Sequence, residues 1–281
     1  MSLLSALQPV EIERPVLELS GDGLRAVLQI MIAGSEDHGG IERYVDALKL
    51  KSAMFQQALA DDSIDSLDLE TFKGLCTFMA TVRRRVGDWL NEAAFADMHD
   101  GIKELFADDN NVDARVDTFC ARFPNDKQHR WVRDLATEML HNTDPERVPL
   151  MNRWVWDAKA NTGVIREIWH GDDVDHIKIP VGDGYGTYLM LREELSQFLS
   201  DEGLFRDVPQ YVDILCAQVY AQYICEQGGS YLRTDFSAPE DPMQHTRRLL
   251  GLDGVQPGNG KTRLKSIDGE AYVLDDSNLL N

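Results

Sequence analysis

The sequence predicts a mainly α protein: a single helical domain over residues 16–250, with a small β-hairpin insertion near 175–191 and a second β-hairpin at the C-terminus. Three observations carry this expectation. Apolar residues recur at helical spacing through most of the chain, Pro and Gly punctuate it at short intervals, and alternation with a period of two appears only twice. With 281 residues the chain is long enough to bury a sizeable core.

Residues 1–15 contain Pro9 and Pro15 and read as an irregular lead-in. A first helix fits Gly23–Ala33, and a second spans Ile41–Ala60 with Tyr44, Val45, Leu48, Phe55 and Leu59 on one face. Phe72, Leu75, Cys76, Met79, Val82, Val86, Trp89 and Leu90 keep the 3.6-residue period and predict one long third helix. Phe95–Phe106 supplies a fourth, and Val112–Phe123 a fifth that Pro124 stops. Asn125 or Asp126 is placed to cap a helix through Trp131, Val132, Leu135 and Met139. Helix then restarts at Leu150–Ala158, stops at Asn161-Thr162-Gly163, and takes a short turn through Trp169. HIKIPV, GDGYG and TYLML read as strand, turn and strand. Helices follow at Arg192–Asp201 and Pro209–Gln227, then a short one after the cap signal Asp241-Pro242. Residues 251–281 form a glycine-rich link and TRLKSI-DG-EAYVLD, a hairpin signal with a type I′ turn at Asp268-Gly269.

The formal charge of −20 comes largely from Asp, 31 of the 48 acidic residues. Such a field repels nucleic-acid phosphates and anionic lipid, and so excludes wholesale binding to either. The four cysteines lack metal-type spacing and lie in apolar helical patterns, as reduced buried thiols do. The first residues carry no basic, apolar export signal, and no apolar run approaches the length of a membrane span. The expected compartment is the cytoplasm.

Four of the five tryptophans and four of the seven histidines fall between Asp126 and His176. Within this segment Glu138-x-x-His141 and Glu167-x-x-His170 each aim a carboxylate and an imidazole at one point on a helix, the spacing that di-iron carboxylate bundles use. Helical arithmetic puts His141 roughly 150° from the centre of its helix's apolar face, pointing to solvent. Residues 170–176 add two imidazoles and three carboxylates, read as a solvated acidic turn. Arg83-Arg84-Arg85 is the densest basic spot, with Lys127, Arg130 and Arg133 as a second basic group; together they suit an anion or carboxylate pocket, or pairing with surrounding Asp. Gly254–Thr262 and Gly182–Gly186 imitate phosphate and dinucleotide loops, but each misplaces a glycine and lacks the strand–helix context.

An alternative set keeps Glu138 and His141 and adds Glu194 (or Glu193), Asp241 and His245. These spacings resemble the ligands of haem-oxygenase-like di-iron oxidases, a helical family of similar length. The resemblance implies iron at these residues and an oxidase activity; otherwise the expectation is no cofactor. The leading expectation is a non-catalytic interaction or accessory protein with a protein partner, for which Trp156, off the apolar face of its helix, is a candidate anchor. Besides the di-iron oxidase, the acidity admits a nucleic-acid mimic that occupies a basic partner.

Overall fold

The computed structural model describes residues 14–36, 39–107, 111–170, 176–229, 243–252, 261–265 and 271–275. Among these the fold is mainly helical, with ten α-helices. Asx and Ser caps set several helix starts. Ser20 accepts from the Gly23 N–H to open α1 (Gly21–Ser35), which buries Leu24, Val27, Leu28 and Met31. Helix α2 (Glu42–Leu59) follows. Asp68 caps α3 (Leu69–Thr77), Asn91 caps α4 (Glu92–Ala107) and Asn111 caps α5 (Val112–Cys120). The remaining helices are α6 (Trp131–Thr143), the single turn α7 (Val164–Glu167), α8 (Tyr185–Asp201), α9 (Val208–Gly229) and α10 (Gln244–Leu249).

Two helices organise the interior. Helix α6 packs on α2, α4 and α5, while α9 packs on α1, α2, α7, α8 and α10, so α2 touches both groups. Nearly all of α6 is buried, including Asp134, Thr137, Glu138, His141 and Asn142. Phe55, Phe72, Phe119, Trp156 and Tyr188 are among the largest fully buried side chains. Each such burial contributes roughly 1.5–3 kcal/mol. Among the described residues no helix is long and apolar enough to cross a membrane.

The structure corrects four expectations. The long third helix is interrupted: α3 ends at Thr77, and the chain continues in turns to a 3-10 helix at Val86–Trp89. Hydrogen bonds such as Met79 N–H to Cys76 O and Arg83 N–H to Met79 O keep Met79, Val82 and Val86 buried. The apolar pattern therefore survives without a regular helix. Residues 150–158 are not helical either. The Asp134 carboxylate takes the Arg153 N–H at 3.0 Å, and Val155 O accepts from Ile165 N–H in a loop–loop contact.

Among the described residues the hairpin near 175–191 is absent, because TYLML lies inside α8. The start of α8 is set by a group far away in sequence: both Asp113 oxygens accept from the Tyr185 N–H, at 2.8 and 3.1 Å. Asp126 does not cap α6 directly; it accepts from the Gln128 and His129 N–H groups one turn earlier. The cap signal Asp241-Pro242 lies outside the described residues. Near the C-terminus, β1 (Lys261–Lys265) pairs antiparallel with β2 (Ala271–Asp275); the expected turn at Asp268-Gly269 also lies outside them.

Candidate functional site

Asp134, Glu138 and His141 follow one another at i, i+4 and i+7 along α6, and so share one stripe of that helix. All three are buried. Each is joined to a different element. Asp134 receives the Arg153 guanidinium at 2.9 Å. One Glu138 oxygen lies 3.1 Å from Lys51 Nζ on α2, and the other accepts from Asn152 Nδ2 at 2.8 Å. Lys51 also donates to Leu250 O at 3.1 Å. His141 Nε2 lies 3.1 Å from Asp213 Oδ2 on α9, and Nδ1 lies 2.8 Å from Val148 O.

The protonation of His141 follows from this geometry. A carbonyl oxygen only accepts, so Nδ1 carries a hydrogen, and Nε2 faces the Asp213 carboxyl group. A proton on Nε2 as well makes the ring an imidazolium. Burial opposes this charge, but the Asp213 carboxylate, the hydrogen bond to it and the Val148 carbonyl outweigh burial and hold the His141 pKa above its ordinary value. Beside the pair, a cavity of about 10 Å³ reaches Tyr188, Cys216 and Arg192. That is room for a water molecule and not for a substrate.

His141 therefore does not point to solvent as the helical arithmetic expects; it is 5% exposed. The arithmetic places it correctly relative to Leu135 and Met139 but takes the opposite side of α6 as surface, whereas α9 and the 145–152 loop cover it. The second Glu-x-x-His pair has a different environment: Glu167 and His170 are exposed, and the His170 N–H donates to Glu18 O. The two pairs thus divide between interior and surface. Of the alternative set, Glu194 is exposed, His245 is half-buried and Asp241 lies outside the described residues. Among the described residues no group of three or more His, Cys, Asp or Glu side chains converges to hold a metal ion. The residues that could contribute to such a centre from this stripe, Glu138 and His141, already have the partners named above.

Trp156 is also corrected. Expected off the packing face, it is fully buried, and its indole N–H donates to Gly182 O at 3.1 Å and Val181 O at 3.3 Å. The 150–158 segment is not a helix, so a helical face does not describe it. Cys76 and Cys216 are buried thiols whose pKa values burial pushes up. Burial likewise raises that of Cys120 to about 11. His176 is exposed, and residues 171–175 of the acidic turn lie outside the described residues.

Sequence reasoning missed Lys51, Asp134, Asn152 and Asp213. Lys51 had a readable signal: it falls within the apolar stripe Tyr44, Leu48, Phe55 and Leu59, where a lysine needs a buried carboxylate. No protein-family model, curated protein or solved structure matches this chain.

Proposed function

We propose that this chain is a non-catalytic interaction protein that docks a protein partner, with Phe205 as an apolar anchor in place of Trp156. The observation that carries the proposal is the presentation of Phe205. It is 74% exposed, on the loop between α8 and α9. Leu204 N–H donates to Leu199 O and Gly203 N–H to Ser200 O, closing the end of α8. On either side, Glu202 pairs with Arg25 at 2.8 Å and Asp207 with Lys49 at 2.6 Å. An aromatic side chain held on a pinned loop loses little entropy when a partner covers it. The internal engagement of Glu138 and His141 supports the same proposal, since the α6 stripe is committed to holding helices together.

Capture of partners from the source cell with wild type and Phe205→Ala tests this. A protein retained by wild type, lost with the folded variant and stable to high salt is the expected result. Identical recovery by both chains would overturn the role of Phe205, and loss of the complex in salt alone would favour charge mimicry. Iron-loaded protein that binds more than about half an equivalent of metal, with loss on Glu138→Gln, would favour the di-iron oxidase instead.

A further inference from the structure

A cleft of about 540 Å³ opens at the N-terminal end of α6, with Arg130, Arg133 and Arg153 in its wall. In a chain of charge −20 this is a local gathering of cations. Two of the three are balanced from behind. Arg130 donates to Asp157 at 2.7 Å, and Arg153 to Asp134 through Nε and an Nη at 3.3 and 2.9 Å. Arg133 differs. It donates to two neutral carbonyls, Met151 O at 2.9 Å and Asp183 O at 2.6 Å, and stands over the Tyr188 ring. Among the described residues no carboxylate lies within ion-pair distance of it, although the Asp183 and Asp134 charges act on it from further away.

Further features of the cleft add to this charge. Helix α6 begins at Arg130 without a side-chain cap, which leaves the positive end of its dipole here, although the Val132 N–H is bonded to His129 O and the first turn carries Asp134, paired with Arg153. Carboxylates also line the cleft. Asp117 is exposed, and Asp126 is engaged by the His129 ring at 2.9 Å and by two backbone N–H groups. Acid and guanidinium thus share the cleft, with Arg133 and Arg153 less exposed than Arg130. Each guanidinium carries five donors, and Arg130 commits only one of them to Asp157. Phe123 and Val132 give the cleft an apolar side, and its volume falls in the range of small-molecule sites.

We propose that this cleft binds the oxyanion head, phosphate or carboxylate, of a small molecule whose apolar body lies against Phe123 and Val132. The arginine forks match either head group. The site is separate from the Phe205 surface and does not depend on the interaction proposal.

Calorimetric titration of the full chain at fixed ionic strength, with phenyl phosphate, benzoate and neutral benzyl alcohol, tests the proposal. At least one anion is expected to bind at a single site with a Kd of about 1 mM or tighter, and the alcohol not to bind. The tighter anion identifies the head group. Arg130→Gln, chosen because its side chain is nearly half exposed, should weaken binding at least about tenfold while the thermal melt stays cooperative. Amide chemical shifts of wild type should move at the first turn of α6 and at Arg153 on titration, a result that needs no variant. Absence of saturable anion binding, equal binding of benzyl alcohol, unchanged affinity in folded Arg130→Gln, or shifts centred elsewhere would each overturn the proposal.

Discussion

Lys51 Nζ and Glu138 Oε2 lie 3.1 Å apart with side chains 4% and 2% exposed, a buried ion pair that ties α2 to α6. Both charges have left water, so the pair is held by geometry: Asn152 satisfies the second Glu138 oxygen and Leu250 O accepts a second hydrogen bond from Lys51 Nζ. Removing one partner strands the other. Lys51→Met alone is expected to cost about 3–5 kcal/mol in urea unfolding, and Glu138→Leu a similar amount. The double variant should recover most of that loss, because neither charge is left buried. A double variant as unstable as the sum of the singles would show that the two side chains act separately.

The His141–Asp213 pair makes stability depend on pH in a stated direction. The folded-state pKa of His141 is raised above the ordinary value of 6.5. Its contribution is fully present below about pH 6.5 and is lost as pH rises through the folded pKa. The facing groups are Asp213 and Cys216 on α9, the Val148 carbonyl, Tyr188 and Arg192 on α8, and the Lys51–Glu138 pair. Wild-type unfolding free energy should therefore fall from about pH 6.5 into the alkaline range, and Asp213→Asn should flatten that slope while lowering stability at acid-to-neutral pH. Equal slopes in the two proteins would remove His141 as the cause.

The helices were legible wherever one apolar face meets one core. Helices α1, α2, α4 and α5 bury the residues their periodicity selects, such as Met31, Phe55, Ile102 and Phe119. Helix α6 defeats that logic because it is surrounded. A stripe of Asp134, Glu138 and His141 looks solvent-facing until Lys51, Arg153 and Asp213 arrive from segments 19 to 87 residues away. Periodicity records which positions are apolar, not whether a second layer covers the polar ones. The hairpin near 175–191 failed for a related reason. TYLML suits either structure locally, and the Asp113 carboxylate that starts α8 is 72 residues distant. Trp156 was misplaced because its orientation rests on carbonyls of Val181 and Gly182, which no local pattern announces.

The Asp113–Tyr185 contact carries a separate prediction. Asp113 acts as a cap supplied from α5 rather than from the residue before α8, and burial raises its pKa despite the hydrogen bond from Tyr185. Asp113→Ala should destabilise the protein by about 1 kcal/mol, within the range for lost N-caps, while Asp113→Asn should retain most of the contact. Hydrogen exchange at Tyr185 should accelerate in the Ala variant alone among these. Unchanged exchange there would mean that α8 starts without help from α5.

Two glycines with similar backbone angles separate strain from packing. Gly203 has φ +89° at the end of α8, and a Cβ there meets nothing within 4 Å. Gly251 has φ +74° after α10, where a Cβ would stand 1.7 Å from Phe78 O, at the point where α3 gives way to turns. Gly203→Ala should cost about 1–2 kcal/mol, the penalty for an L side chain in the left-handed region. Gly251→Ala adds a backbone clash that no rotamer relieves and should cost well over about 3 kcal/mol or prevent folding. Thermal unfolding of the two variants side by side reads the difference. Equal losses would mean that α10 can move away from Phe78 freely. In that case the Lys51 contact to Leu250 O, one residue before Gly251, would have to be yielding as well.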